Sequence, residues 1–141
     1  MEKVGIGVDV GGTSIKLGVF QNSGTLLKKW EIPTNTCENG TYVLPDIAAS
    51  IQKIMEETLQ GKAELIGVGL GVPGPVQPTG YVEVAVNLNW REMYPARELS
   101  ELLGGVRVEV GNDANVAALG EAWRGGGEGA ANAVLLTLGT G

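Results

Sequence analysis

An acidic residue and two glycines interrupt a run of strand-forming residues near the start of the chain: Asp9, Gly11 and Gly12, followed by Thr13. If the flanking segments pair as a hairpin, the glycines fall at its turn. A positive φ is expected there, and a missing Cβ lets backbone amides reach an anion such as a phosphate. A phosphate would repel Asp9 unless a divalent cation lay between them, and a Mg²⁺ held through water removes that conflict. The alternative is an ordinary hairpin in which Asp9 stabilises the turn.

A second polar cluster follows the strand predicted over residues 106–110. Asn112, Asp113 and Asn115 stand where a strand ends and a helix is expected to start, which is the usual place for ligands in open α/β sheets. Amides and a carboxylate offer donors and acceptors at short reach, and this suits a polyhydroxyl ligand. A helix N-cap explains one of these residues but not all three.

Asp113 is the best candidate for a general base. The chain contains no histidine, so a base must come from a carboxylate, a lysine or a tyrosine. An aspartate is a weak base at neutral pH. That weakness matters little in phosphoryl transfer, because its loose transition state requires an aligned acceptor oxygen more than early proton removal.

Two further segments are weaker candidates for ligand contacts. Residues 69–74 match G-x-G-x-x-G, but the prolines that follow break the helix that dinucleotide binding requires. We instead expect a rigid loop whose backbone, including Gly74, could press against a ligand, with a plain turn as the alternative. Asn87 could place an amide against a sugar hydroxyl, although loop asparagines are commonplace. The Walker pattern is absent, because Thr13 rather than a lysine follows Gly12.

Composition limits the classes of partner. The 141 residues carry a net charge of -6 with a pI near 4.6, which argues against nucleic acid or an anionic membrane as a partner. No apolar run approaches the roughly 18 residues of a membrane span, so a cytoplasmic protein is expected. Cys37 is the only cysteine, and the chain therefore cannot form an intrachain disulfide or a thiolate zinc cluster.

Apolar periodicity predicts the elements that must position these residues. Strands over residues 4–10, 14–20 and 26–32 should form an antiparallel three-stranded meander. The most secure helix covers residues 44–60, with Gly61 as its C-terminal cap. Further strands are predicted over 64–70, 81–86, 106–110 and 133–138, with helices over 96–103 and 113–123. The order indicates an α/β domain with a mixed sheet flanked by helices.

Five segments together resemble the ROK family of sugar kinases and repressors. The first, DVGGT at residues 9–13, resembles the first phosphate motif of the sugar-kinase, Hsp70 and actin superfamily. The others are GVGLGVPGPV at 67–76, NLNW at 87–90, GNDANVAALGE at 111–121 and LTLGTG at 136–141. They occur in order along essentially the whole chain. The resemblance implies an actin-like (ribonuclease H-like) ATPase lobe that phosphorylates a hexose with ATP, glucose being the first guess.

The resemblance also implies roles for individual residues. Asp113 matches the base that takes the proton of the sugar 6-hydroxyl, and Asn112 matches a sugar-binding amide. Gly74 and Asn87 lie in segments that line the sugar pocket. The nucleotide residues are the acid near Mg²⁺ and the members of the two phosphate loops: Asp9; Gly11, Gly12 and Thr13; Gly139, Thr140 and Gly141.

Family members are about twice as long, and their second lobe supplies the adenine pocket, further sugar ligands and often a zinc site. We therefore expect residues 1–124 to form an N-terminal sugar-kinase lobe, and residues 125–141 a glycine-rich link and the first strand of a truncated second lobe. The fragment alone is expected to be inactive, and the full-length form to be a homodimer. The alternatives are a non-catalytic sugar-binding module and a sugar-responsive repressor that lacks its DNA-binding domain.

Overall fold

The computed structural model describes residues 2–21 and 25–112. Its strands are β1 (Glu2–Val10), β2 (Ser14–Gln21), β3 (Leu26–Pro33), β4 (Ala63–Val72), β5 (Val82–Ala85), β6 (Trp90–Met93) and β7 (Val108–Asn112). Its helices are the irregular single turn α1 (Cys37–Gly40), α2 (Val43–Glu57) and α3 (Pro95–Leu102), with a 3₁₀ turn at Val86–Leu88.

The main sheet has five strands in the order β3-β2-β1-β4-β7. β1 pairs antiparallel with β2, and β2 pairs antiparallel with β3, which confirms the predicted meander. β4 lies parallel to β1, and β7 lies parallel to β4. The mixed sheet flanked by helices is the actin-like ATPase fold expected from the sequence.

One face of the sheet carries the core because side chains alternate along each strand. Its apolar residues come from every second position of β1, β2 and β4, and they pack against α2, α3 and the β5–β6 hairpin. The fully buried members include Val4, Ile6, Val8, Ile15, Leu17, Leu70, Ile47, Ile51, Leu88, Trp90 and Leu99. Burying a side chain of this size contributes about 1.5–3 kcal/mol, so this face holds the lobe together.

The opposite positions of the central strands are largely glycine. Gly5 pairs with Gly67, Gly7 pairs with Gly69, and the same row ends with Asp9 opposite Gly71. Asp9 therefore lies on the glycine face, and its neighbour Val10 lies on the core face.

The structure corrects several predicted boundaries. α2 ends at Glu57 with Thr58 as its C-cap, so Gly61 lies beyond the cap. α1 was not predicted, nor was β6, which pairs with β5 as a separate two-stranded sheet. β7 extends through Asn112, which makes Asn112 a strand residue and not a helix cap. The predictions over 113–123, 125–141 and 133–138 lie outside the described residues. No helix in the described part of the chain is long and apolar enough to cross a membrane.

Candidate active site

The carboxyl ends of three parallel strands meet at one edge of the sheet. Near this edge Asp9 on β1 pairs with Gly71 on β4, and Gly71 pairs with Gly111 on β7. One position further along, Val72 pairs with Asn112. The sheet thus places Asp9 and Asn112, which are far apart in sequence, on strands that both neighbour β4. Ligands of open α/β sheets bind outside such an edge.

The backbone of the β1–β2 turn closes on itself between Gly11 and Ser14. The Gly11 N–H donates to the Ser14 carbonyl oxygen at 2.9 Å. A Cβ at Gly11 would lie 2.8 Å from that same oxygen, so any side chain would force the turn open. The positive φ expected at Gly11 and Gly12 is wrong, because neither has a left-handed φ. Glycine is required at position 11 by contact distance and not by torsion angle.

The tip of this turn exposes two backbone amides. Gly12 and Thr13 are both exposed. Within the described residues, neither of their backbone amides donates a hydrogen bond. Successive backbone amides in a turn are the donors that bind phosphate oxygens in other backbone anion sites.

Asn87 lies directly against the turn. A Cβ built at Gly12 would be 3.3 Å from the Cβ of Asn87 and 3.6 Å from its carbonyl oxygen. The 3₁₀ turn Val86–Leu88 therefore brings the predicted sugar amide next to the predicted phosphate turn.

Gly74 lies close to the backbone of β5. A Cβ at Gly74 would be 3.2 Å from the Val84 carbonyl oxygen and 3.7 Å from Ala85. The Gly74 N–H also donates to the Val72 carbonyl oxygen at 3.0 Å, immediately beside Asn112. Gly74 thus allows the loop after β4 to lie against β5. The structure thus places Asn87 against the turn and Gly74 against Val84 of β5, two residues before the 3₁₀ turn that carries Asn87.

Asp9 lies between oppositely charged and small neighbours on the glycine face of the sheet. It is half-buried, and its cross-strand partner on β2 is Lys16, which in turn pairs with Glu31 on β3. Opposite charges directly across two strands favour each other. No group of three or more metal-ligating side chains exists within residues 2–21 and 25–112. A single carboxylate suits Mg²⁺, which usually keeps several waters and takes its remaining ligands from substrate phosphates.

Thr34 is a site residue that the sequence analysis missed. Its Oγ1 donates to the Gly11 carbonyl oxygen at 2.7 Å, and its backbone N–H donates to the Thr13 carbonyl oxygen at 3.0 Å. The predicted meander could have indicated this position, because β2 and β3 pair Ser14 with Pro33. The residue after Pro33 must then lie beside the turn.

Four predicted site residues lie outside the described residues. These are the base candidate Asp113 and the second phosphate loop, Gly139, Thr140 and Gly141. Their roles remain predictions from the sequence.

Comparison with known proteins identifies the family. The model of the ROK family matches residues 5–141, nearly the whole chain. The chain belongs to the ROK family. The sequence segments at 9–13, 111–121 and 136–141 all fall within the matched range.

Individual ROK relatives extend beyond this chain. A glucokinase of Halalkalibacterium halodurans is 45% identical over 137 residues, which are 96% of this chain and 41% of the relative. A ROK family glucokinase from Streptomyces griseus, solved in complex with glucose and AMPPNP, superimposes with a TM-score of 0.67 at 32% identity. The superposition covers 89% of this chain and 38% of the Streptomyces protein. The chain thus spans less than half the length of these relatives.

The ROK fold is shared with regulators. A ROK family transcriptional regulator, a homolog of the E. coli MLC protein, superimposes with a TM-score of 0.71 at 18% identity, over 87% of this chain and 31% of the regulator. At that identity the likeness shows the fold alone. The fold by itself does not separate kinases from regulators, and the site must do so.

Proposed function

We propose that this chain is the N-terminal lobe of an ATP-dependent hexose kinase that transfers the γ-phosphate to the 6-hydroxyl of glucose or a similar sugar. One observation carries the proposal: the contact between Gly12 of the exposed turn and Asn87. It joins a surface suited to phosphate with one suited to a sugar hydroxyl. A donor phosphate and an acceptor hydroxyl must lie this close for in-line transfer.

Within this proposal, the nucleotide and sugar contact different residues of the edge. Gly11, Gly12 and Thr13 hold a phosphate through backbone amides, and Asp9 faces Mg²⁺ through water. Asn112, Asn87 and the backbone at Gly74 contact the sugar. Bound Mg²⁺ would neutralise charge on the phosphates, which is its general contribution to phosphoryl transfer. Gly139, Thr140 and Gly141 would form the second phosphate loop.

Asp113 directly follows Asn112 in sequence, and we assign it the role of general base. It would accept the proton of the sugar hydroxyl late in the transfer, for which an aligned carboxylate oxygen suffices. The alternative of a non-catalytic sugar-binding module would not need this carboxylate. The repressor alternative would need neither Asp113 nor a nucleotide.

The test is turnover of glucose and ATP by the full-length protein and by its Asp113→Asn variant. The substitution should lower kcat by roughly 10²- to 10⁴-fold, the usual contribution of a positioned acid-base group, while glucose still binds. Asp46→Asn is the matched control, because Asp46 is an exposed aspartate on α2. Near-parental turnover by Asp113→Asn would remove Asp113 from this role.

The same assay tests the extent of the active unit. The described residues contribute one side of a nucleotide site, so we propose that the 141-residue chain alone gives no appreciable turnover. In the full-length protein a second lobe would supply the adenine contacts, with zinc bound in that lobe, and two copies would associate as a homodimer. Robust phosphorylation of glucose by the isolated chain would contradict the need for a second lobe.

A further inference from the structure

The connection between β3 and α1 forms hydrogen bonds to two carbonyls of the phosphate turn, those of Gly11 and Thr13. Thr34 donates its side-chain O–H to the Gly11 carbonyl and its backbone N–H to the Thr13 carbonyl. The hydroxyl bond, at 2.7 Å between Thr34 Oγ1 and the Gly11 oxygen, depends on the identity of the side chain. The amide bond, at 3.0 Å, would form with any residue other than proline.

Anchoring the Gly11 carbonyl fixes the direction of the next amide. A trans peptide unit is planar, and its C=O and N–H point in opposite directions. The Gly11 oxygen points to Thr34, so the Gly12 N–H of the same peptide unit points away from Thr34. Because Gly11 and Gly12 have no side chains, this unit would otherwise rotate readily. A flipped unit would present a carbonyl oxygen to the anion and repel it.

The connection that carries Thr34 has a second anchor two residues further on, at Thr36. The side-chain amide of Asn89 donates to the Thr36 carbonyl oxygen at 3.0 Å. Asn89 has a left-handed φ of 61°, a conformation that asparagine adopts more readily than most residues. The 34–36 connection is thereby tied at one end to the phosphate turn and at the other to the segment that carries Asn87.

From this geometry we infer that Thr34 is a positioning residue for nucleotide, whose hydroxyl aims the Gly12 amide at a phosphate oxygen. The inference rests on the proposed kinase function for the identity of the ligand. Thr34 itself acts only through the turn, because its hydroxyl hydrogen is already donated to the Gly11 carbonyl.

The test measures binding of the ATP analogue AMPPNP and of glucose separately, by calorimetry, in the full-length protein. Thr34→Val removes the hydroxyl but keeps the branched shape and the backbone N–H. We expect it to weaken AMPPNP binding about tenfold, the loss that corresponds to about 1.4 kcal/mol, and to leave the glucose Kd within twofold. Thr34→Ser keeps the hydroxyl and should restore AMPPNP binding. The matched control is Thr58→Val, because Thr58 is exposed at the C-cap of α2.

Each result bears on the inference. Equal AMPPNP affinity for Thr34→Val and parent would overturn it, as would equal weakening of AMPPNP and glucose, which indicates a merely structural role. A parent that binds AMPPNP but phosphorylates no sugar would refute the proposed kinase function, and the Val and Ser variants would still decide the role of Thr34. A parent that binds no nucleotide would overturn both.

Discussion

Gly40 and Gly61 have nearly the same left-handed φ, 71° and 69°, but very different surroundings. A Cβ at Gly40 would overlap the Leu88 carbonyl oxygen and lie 2.6 Å from Trp90 Cδ1. The Gly40 carbonyl also accepts the indole N–H of the fully buried Trp90 at 3.0 Å. A Cβ at Gly61 would meet no heavy atom within 4 Å. Substitutions at these two glycines therefore separate the cost of torsional strain from the cost of steric overlap.

We expect Gly61→Ala to cost about 1–2 kcal/mol, the price of a left-handed alanine. Gly40→Ala should cost more than about 4 kcal/mol, because the overlap is with backbone and cannot be relieved by turning a side chain. The measurement is the free energy of unfolding in urea for both variants. Equal losses would show that the Leu88–Trp90 segment moves aside freely.

Several site residues were predictable from their type and position. The acid and glycines at residues 9–12 indicated a turn at a strand end, and Asn112 indicated a sheet edge. The reason for glycine at position 11 was not predictable. A Cβ there would lie 2.8 Å from the Ser14 carbonyl oxygen, and that distance depends on the path of the backbone, which residue types alone do not reveal. Thr34 was missed because its role is a hydrogen bond to a turn in another part of the chain.

At the scale of elements, all the long periodic segments were predicted, and the two elements that were missed, β6 and α1, are both short. The meander strands and α2 have enough alternating or helical apolar positions to reveal their period. β6 has four residues and α1 one irregular turn, and neither is long enough to show a period. Both exist because of tertiary contacts, chiefly the bond from Trp90 of β6 to Gly40 of α1.

α3 carries an acidic residue whose ionisation opposes folding. Glu98 lines two adjoining cavities beside β6, together with Thr41 and Met93. Desolvation there raises the pKa of the Glu98 carboxyl, and repulsion from Glu101 raises it further. The folded state then holds the proton to a higher pH than the unfolded state. Stability falls as pH rises through that window, and the penalty persists above it.

Glu98→Gln should therefore be more stable than the parent at pH 7 and equal to it below roughly pH 3, where the carboxyl is protonated in both states. The side chain is partly solvated, and screening limits the gain to roughly 1–2 °C in Tm. Thermal melts at both pH values provide the measurement. Glu83→Gln is the control, because Glu83 is an exposed residue of β5. A gain that is equal at both pH values would indicate packing and not charge.

At the scale of the whole molecule, the candidate site depends on two kinds of strand pairing: antiparallel pairing of strands adjacent in sequence and parallel pairing of strands far apart in sequence. Asp9 pairs with Lys16 within one hairpin and with Gly71 across the whole stretch that contains β3 and α2. The phosphate turn belongs entirely to the local pairing. The position of Asn112 beside Val72 depends on the distant pairing of β4 with β7.

The local and the distant strand pairs should therefore form at different times during folding. Local pairs close short loops, but parallel pairs between distant segments must first overcome the entropy of a long loop. We expect amides of β1, β2 and β3 to gain protection before those of β4 and β7 in pulse-labelled hydrogen exchange, and simultaneous protection would contradict this order. On the proposed function, the β1–β2 turn would be complete while the sugar-binding side is still unformed. A sugar bound there would then hold only chains that have completed the pairing of β4 and β7, and its binding would slow unfolding without speeding folding.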